Sequence, residues 1–500
     1  MTAPAPRIVI LGGGTAGWMA ANLFAHRWPA AQVDVIESSE IGIVGVGEGS
    51  TPQLKAFFDR LGIAEGEWMP ACNATYKAGI SFHGWSERPG FERYFHPFAT
   101  DLDVHTEARF FANTRARRAH EDVHAHPDRF FLSARLAAAK KAPLAPEHFP
   151  FDLGYGYHFD AYLVGAFLRE HAKGRGVRHH DRKVVVVEVA EGEVAALRFE
   201  GGERIAADLF VDASGFRAMI GTALGVPFRP FGENLFNDSA VVMPTPSEPD
   251  GPASETRSTA LRHGWAWAIP LTNRVGNGYV YSSRYCSKED AEAELRAHIG
   301  AGEETQARHL TMRVGRAEAS WAGNCLLIGL AQGFIEPLEA TALHVVQATV
   351  EGFMAAWEGG KFAPKHRDAF NRNIAARYEG VRDYIVCHYR VNKRTDTEYW
   401  RDNAANNRSS DSLRGVLDAW FRGRDLSDEI ARQGIARYYA PLSWHCLLAG
   451  YGVFPADAKL RPPADPRRAD MAPVDEFIRR ASLNFPSHAE ALAALRPQAG

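Results

Sequence analysis

The first forty residues alternate between short apolar runs and a helical pattern. Residues 7–11 (RIVIL) form an apolar run typical of a buried strand, and residues 18–24 (WMAANLF) read as a helix. A second β-type run covers residues 33–36 (VDVI). The pattern predicts a strand, a turn, a helix and a second strand, which is the repeating unit of an α/β fold.

Further apolar runs predict strands in the middle of the chain. Strands are expected at 183–189 and 194–199, with another at 208–215 that ends in a turn of small residues. A third strand-and-loop unit covers 324–337, and a helical stretch follows from about 340 to 357. The strands and helices together predict a mixed sheet with helices packed on it.

Composition and charge narrow the class of partner. Lys and Arg number 57 and Asp and Glu number 60, so the net charge is −3 and there is no basic surplus to attract nucleic acid or an anionic membrane. Hydrophobic residues make up 46% and charged residues 23% of the 500 residues, which is ordinary globular usage. A folded protein with small-molecule partners is expected.

The sequence also lacks signals for a membrane span, a disulfide frame and a metal site. No uncharged apolar run approaches the ~18 residues that cross a bilayer, and the first residues lack a signal-peptide core. The 5 cysteines are scattered, without disulfide or zinc spacing. We therefore expect a cytoplasmic protein with reduced cysteines and no metal.

The turn after the first strand carries a dinucleotide-binding pattern. Its sequence reads G-G-G-T-A-G from Gly12 to Gly17, and Glu37 ends the next strand twenty residues later. Gly12 permits the tight turn, Gly14 lets a pyrophosphate approach the backbone, and Gly17 lets helix and strand pack closely. The helix N-terminus favours phosphate, and Glu37 can accept a hydrogen bond from a ribose hydroxyl.

Two later strand ends also carry glycine, at 212–215 and 329–333. Three such ends, far apart in sequence, indicate one long ligand that is touched at several points, and FAD is such a ligand. The alternative is that the second and third turns only connect strands.

The chain resembles the flavin-dependent tryptophan halogenase family, a branch of the FAD monooxygenase fold. Seven segments carry the resemblance: 12–18, 44–52, 73–82, 157–160, 211–215, 265–270 and 333–341. The W-x-W-x-I-P element at 265–270 and the lysine at 77 are specific to halogenases. The resemblance implies an FAD-binding Rossmann-like core with a mixed sheet, and a mainly helical substrate-facing region.

The resemblance also implies the cofactor and the co-substrates. Reduced FAD, oxygen and chloride or bromide would generate hypohalous acid. The cofactor-binding residues would be Gly12, Gly14, Thr15, Ala16, Gly17, Glu37, Gly47, Val184, Asp212, Gly329 and Ile335. No second G-x-G-x-x-G turn offers a nicotinamide site, so a separate flavin reductase is expected to supply the reduced form. Whether the chain forms a homodimer is left open.

Two catalytic residues follow from the resemblance. Lys77 would receive the hypohalous acid, either as a hydrogen-bond donor or as a haloamine, since burial is expected to lower its pKa. Glu339 would stabilise the cationic intermediate and help remove its proton. The alternatives are an exposed lysine at a strand edge and a glutamate that complements a helix macrodipole.

The halide would be held by backbone N–H groups at Thr341 and Ala342. The matching family motif commonly reads Glu-Ser-Thr-Gly, so Ala340 and Ala342 depart from it. Replacement of glycine by alanine keeps such a donor only where φ is negative.

An aromatic slot would hold the substrate. His96 and Phe98 resemble its walls, and Trp444 is the candidate for the third side. The groups with which tryptophan-specific relatives clasp the charged ends of an amino acid are not found here. Free indole, or an indole-like aromatic, is therefore the expected substrate.

We expect residues 1–100 and 150–360 to form the FAD-binding core. Residues 101–149 and 361–500 would form the substrate-facing region, with a last helix from about Val474. Two other functions stay open, namely an aromatic monooxygenase that transfers oxygen and a non-catalytic flavin-binding protein.

Overall fold

The computed structural model describes residues 5–41 and 47–495. Residues 44–46, which begin the family motif at 44–52, lie outside the described residues. Within the described ranges, no helix is both long enough and apolar enough to cross a bilayer.

The strands are two to seven residues long. They are β1 Arg7–Leu11, β2 Gln32–Glu37, β3 Gly47–Gly49, β4 Thr75–Lys77, β5 Gly79–His83, β6 Arg93–Pro97, β7 Gly156–Asp160, β8 Arg178–Asp181, β9 Val184–Ala190, β10 Glu193–Phe199, β11 Arg204–Ile205, β12 Leu209–Asp212, β13 Phe228–Pro230, β14 Ser239–Thr245, β15 Glu255–Leu261, β16 Gly264–Pro270, β17 Val275–Tyr281, β18 Arg308–Thr311, β19 Gly315–Ala317, β20 Trp321–Ala322, β21 Cys325–Leu327 and β22 Gly333–Phe334.

The helices concentrate in the last third of the chain. They are α1 Thr15–Arg27, α2 Gln53–Leu61, α3 Glu65–Trp68, α4 Val104–Arg118, α5 Leu132–Ala138, α6 Ala161–Gly174, α7 Met219–Ala223, α8 Lys288–Ile299, α9 Ala342–Gly359, α10 Arg367–Val391, α11 Glu398–Ala405, α12 Asp411–Phe421, α13 Leu426–Gln433, α14 Pro441–Gly450, α15 Ala472–Ser482 and α16 His488–Ala494. The expectation that the helix near Val474 is the last one is wrong, because α16 follows it.

The chain divides into two compact units. The first comprises Met1–Asn73, Phe159–Gly232 and Met312–Glu379, and the second comprises Ala74–His158, Glu233–Thr311 and Gly380–Gly500. Of the residues that we assigned to the FAD-binding core, 150–158 belong to the second unit, while residues 361–379 of the expected substrate-facing region belong to the first. Residues 74–100 and 233–311, also assigned to the core, lie in the second unit as well. The parallel pairing of β5 with β15 brings these two stretches together, and no local pattern in the sequence announces it.

The first unit is built on a six-stranded sheet with the order β20-β21-β12-β1-β2-β8. The five strands from β21 to β8 are parallel, and β20 pairs antiparallel at the edge. Residues 8–11 of β1 and all of β12 are buried, as expected where both faces of a parallel sheet are covered. The predicted α/β, Rossmann-like class is confirmed.

The register of this sheet brings the glycine-bearing strand ends to one edge. Leu11 is opposite Asp212, and Asp212 is opposite Leu327. The turns that follow β1, β12 and β21 therefore begin side by side. Ligands of open parallel sheets bind at this carboxyl edge.

The second unit contains a seven-stranded sheet with the order β18-β14-β17-β16-β15-β5-β6. Its pairs are antiparallel, apart from β5 with β15. The W-x-W-x-I-P element forms β16, and Trp265 and Trp267 are 2% and 7% exposed. A smaller pairing joins β4, which carries Lys77, to β7.

Candidate active site

The first glycine turn has the geometry that a pyrophosphate site requires. Gly12 has φ +121°, and a Cβ there would lie 2.2 Å from Ala213 O. A Cβ on Gly17 would lie 2.0 Å from Gly12 O, so Gly17 allows the close packing that its position predicts. Gly14 is the N-cap of α1, and no described residue has an atom within 4 Å of where its Cβ would be.

Glu37 lies against this turn. A Cβ on Gly13 would be 1.7 Å from Glu37 Oε2, and His179 Nε2 lies 2.8 Å from Glu37 Oε1. The hydroxyl of Thr15 donates to Ala161 O at 3.3 Å, and a Cβ on Gly329 would be 2.9 Å from Ala16 Cβ. A bare backbone turn, a helix N-terminus and an adjacent carboxylate fit an adenine dinucleotide such as FAD.

Asp212 organises the second glycine turn through its side chain. Its Oδ1 accepts hydrogen bonds from Ser214 N at 3.0 Å and Ser214 Oγ at 2.6 Å. Its Oδ2 accepts from the N–H groups of Ile220 at 2.8 Å and Gly221 at 2.9 Å. Burial raises the pKa of this carboxyl group. The carboxylate therefore fixes the loop, and the loop backbone is the part available to a ligand.

The remaining candidate flavin residues also lie in the first unit. Gly47 is the first residue of β3 and is buried. Gly329 follows β21 with φ +58°. Val184 and Ile335 are each 8% exposed, and Val184 belongs to the apolar core beneath β9 and β10.

The segment before α9 bears on the halide prediction. The short turn Pro337–Glu339 ends at Ala340, which has φ 55°, while Thr341 has φ −87°. Ala342 is the first residue of α9 and is exposed. A helical residue has negative φ, so alanine at 342 keeps its backbone donor, and first-turn N–H groups have no acceptor within the helix. Ala340, the other departure from the motif, lies in the left-handed region, where any non-glycine residue is strained.

Two carboxyl side chains are buried in this segment. Glu336 is 2% exposed and Glu339 is 4% exposed. A carboxylate that only complements a helix macrodipole is normally solvated, so the burial of Glu339 does not favour that alternative.

Lys77 is a buried residue of the second unit. Its exposed fraction is 0%, and its Nζ lies 5.5 Å from the centroid of the Phe98 ring. The alternative of an exposed lysine at a strand edge is therefore wrong. A lysine is rarely buried completely, and the electron-rich face of an aromatic ring is one of the few surroundings that favour a buried ammonium group.

His158 is a neighbour of this lysine that the sequence reasoning missed. Thr75 Oγ1 donates to Pro270 O at 2.7 Å and lies 3.1 Å from His158 Nδ1, while His158 Nε2 lies 2.9 Å from Thr256 Oγ1. Burial and the Lys77 charge hold the pKa of His158 well below its ordinary value, so the ring is neutral. The signals in the sequence are that His158 lies in the family segment 157–160 and that Thr75 and Lys77 share one face of a strand.

The predicted aromatic slot contains an additional residue, Tyr384. Its ring lies 6.0 Å from His96 and 4.9 Å from Trp444, and it stacks on Tyr439 with 3.6 Å between centroids. His96 and Trp444 are 8% and 2% exposed. Tyr384 lies on α10, more than fifty residues in sequence from His96, Tyr439 and Trp444, so only the fold brings these rings together.

A small cleft, with a volume of about 10 Å³, lies on the Trp444 side of this cluster. It is lined by Gly380, Asp383, Ser412, Ile435, Tyr438, Tyr439 and Trp444. Its carboxylate, Asp383, accepts hydrogen bonds from Arg382 Nη2 at 2.8 Å and from Ser410 Oγ at 2.6 Å. Three of the seven lining residues are aromatic, and the one carboxylate of the cleft already has a cationic partner in Arg382.

Comparison with known proteins identifies relatives along nearly the whole chain. The tryptophan halogenase family model matches residues 7–464. Tryptophan 6-halogenase SttH of Streptomyces toxytricini is 35% identical, over 94% of this chain and 93% of that protein. Tryptophan 7-halogenase RebH of Lentzea aerocolonigenes is 34% identical, over 96% of this chain and 94% of that protein.

A solved structure gives the same answer for the fold. BrvH, a flavin-dependent halogenase from Brevundimonas sp. BAL3, superposes with a TM-score of 0.84 at 33% identity, and the match covers 99% of this chain and 100% of that chain.

Proposed function

The chain belongs to the tryptophan halogenase family. From this premise we propose that it uses reduced FAD, oxygen and chloride or bromide to halogenate an indole-type aromatic, with Lys77 as the residue that receives the oxidant. The observation that carries the proposal is the fully buried Lys77 beside the ring of Phe98. Reduced FAD, oxygen and the halide together supply hypohalous acid.

The first unit would hold the cofactor and the halide. The turn from Gly12 to Gly17 binds the pyrophosphate through its backbone, and Glu37 accepts from the ribose. Thr341 and Ala342 donate their N–H groups to the halide, a mode that suits an anion without a cationic partner. A separate flavin reductase supplies the reduced form.

Lys77 would hold the oxidant next to the substrate. As an ammonium donor it polarises hypohalous acid towards the aromatic ring, and as a neutral amine it carries the halogen itself. In either role burial serves the reaction, because bulk water would hydrate the amine and dilute the oxidant. The buried carboxylate of Glu339 would stabilise the cationic ring intermediate and accept its proton.

The aromatic residues around Tyr384 would bind the substrate by stacking, with His96, Phe98 and Trp444 as the predicted walls. The residues that would form this slot, His96, Phe98, Tyr384 and Trp444, include no carboxylate, lysine or arginine. An amino acid brings an ammonium and a carboxylate group, whereas indole brings neither. This contrast favours an indole-like substrate over free tryptophan.

The test uses purified chain, a flavin reductase, FAD and indole in chloride or bromide buffer. We expect Lys77→Met to reduce halogenated product by at least about a hundredfold and to leave FAD affinity unchanged. Lys459→Met, at an exposed lysine of the same unit, is the control and should retain wild-type product. Parallel loss of FAD binding and product in Lys77→Met would contradict the role of Lys77.

Glu339 is tested against its buried neighbour. Glu339→Gln should lower turnover by about 10² to 10³-fold, because the amide cannot accept the proton. Glu336→Gln makes the same chemical change three residues away, so an equal loss in both variants would indicate a structural effect. Near-normal turnover in Glu339→Gln would remove this residue from the mechanism.

A further inference from the structure

Lys77 ends β4, and the residue after it is held at one edge of the strand. Ala78 donates its N–H to Ser254 O at 2.7 Å, and from there β5 continues in parallel register with β15. Successive N–H groups of an extended chain point to opposite sides. Tyr76 therefore presents its N–H to the same edge as Ala78, while Lys77 lies between them.

At Tyr76 the acceptor is an imidazole ring instead of a strand. Tyr76 N donates to His488 Nε2 at 3.0 Å, and His488 Nδ1 lies 2.9 Å from Pro252 O. A carbonyl oxygen can only accept, so Nδ1 carries the proton and Nε2 is the acceptor. The ring thus links the backbone of Tyr76 to that of Pro252. Two residues further along, Ala78 and Ser254 make the equivalent link directly.

The protein holds this ring in a fixed place. His488 is 1% exposed and is the first residue of α16, whose N-cap Ser487 accepts from Glu490 N. The His488 backbone N–H donates to Lys140 O at 2.8 Å. Burial lowers the pKa of His488 to about 4, so the neutral tautomer that this bridge needs is the form present near neutral pH.

We propose that His488 is a positioning residue for Lys77, and that the C-terminal helix thereby takes part in catalysis. The proposal rests on the proposed role of Lys77. Without the bridge, Tyr76 keeps its pairing with β7 but loses the contact that fixes the other edge of the strand. A displacement of about 1 Å at a reacting group is enough to cost about a hundredfold in rate.

Two substitutions separate the two hydrogen bonds of the ring. His488→Gln places an amide oxygen near the position of Nε2 and so keeps an acceptor for Tyr76 N–H. His488→Asn places an amide near the position of Nδ1, which can donate to Pro252 O but does not reach Tyr76. The amide variants are otherwise similar in polarity and buried volume.

The readout is the partition of oxidant, which a merely structural role would not alter. Halogenated indole formed per reduced FAD consumed is measured beside hypohalous acid trapped by a small enol scavenger in the absence of indole. We expect His488→Asn to lower product per reduced FAD at least tenfold while FAD affinity and trapped oxidant stay at wild-type values. His488→Gln should remain within about threefold of wild type.

Wild-type product yield in His488→Asn would overturn the inference, and so would equal losses in both amide variants together with lower FAD affinity. If His488→Asn does not fold, Ser487→Ala, which loosens the helix N-terminus, should shift the partition in the same direction, and no shift would count against the inference. Lys77→Met is measured in parallel. Wild-type amounts of halogenated product from Lys77→Met would refute the proposed function. If Lys77→Met loses the product while His488→Asn keeps the wild-type yield, only this inference is refuted.

Discussion

Replacement of Gly14 by alanine separates ligand binding from folding at the first glycine turn. Gly14 has φ −72°, and no described residue comes within 4 Å of the position of its Cβ. The fold therefore has room for a methyl group. A phosphate that approaches this backbone would meet that methyl group directly.

The expected loss of stability on replacement by alanine differs between Gly14 and Gly12. Alanine in place of glycine at a helix N-cap costs about 1 kcal/mol or less, so Gly14→Ala should leave the thermal midpoint nearly unchanged. Gly12→Ala is different, since φ +121° and an oxygen 2.2 Å away force the turn to move. Backbone conformations of this kind cost alanine about 1–3 kcal/mol before any clash is counted.

The assay pairs FAD titration with thermal unfolding of the FAD-free protein. We expect Gly14→Ala to weaken FAD binding at least tenfold, about 1.4 kcal/mol, with an unchanged midpoint. Gly12→Ala should lose both binding and stability. Wild-type FAD affinity in Gly14→Ala would refute the assignment of this turn to the pyrophosphate.

Two further predictions concern stability. Ala340→Gly should stabilise the protein by up to about 1 kcal/mol in urea unfolding, because φ 55° is left-handed, and a destabilised variant would contradict the strain assigned to Ala340. Burial lowers the pKa of His488 from 6.5 to about 4, so its contribution is complete above about pH 6.5 and is lost as the pH falls towards 4. Between pH 7 and 5 the wild-type protein should therefore lose about 2 kcal/mol of unfolding free energy through this histidine. His488→Gln lacks the titrating ring, so it should lose about 2 kcal/mol less over the same interval, and equal losses would contradict the expectation.

The parts of the fold that could be predicted are those with strong local patterns. The run at 7–11 is β1, and the helix expected from about 340 to 357 is α9, Ala342–Gly359. The glycine spacing also predicted a close packing at Gly17 that the structure contains. In each case neighbouring residues carry the whole signal.

The missing parts depend on contacts between distant segments. Tyr384 joins His96 to Trp444, and His488 contacts the strand of Lys77 from more than four hundred positions away. The capping box from Ser487 to Glu490 marks a helix start at His488, but nothing near His488 or Tyr384 in the sequence indicates these contacts. The burial of Lys77 was expected from the family resemblance alone, because the residues around it are compatible with either a buried or an exposed lysine.

In the proposed reaction an oxidised halide, and not oxygen, reaches the aromatic ring. This step is tested most directly by incubating the protein with a flavin reductase, FAD, oxygen and indole, in separate chloride, bromide and halide-free buffers, and weighing the products. We predict a monohalogenated indole whose halogen follows the buffer, and no such product without halide. A hydroxylated indole that forms equally in all three buffers would contradict halogenation and would identify a monooxygenase.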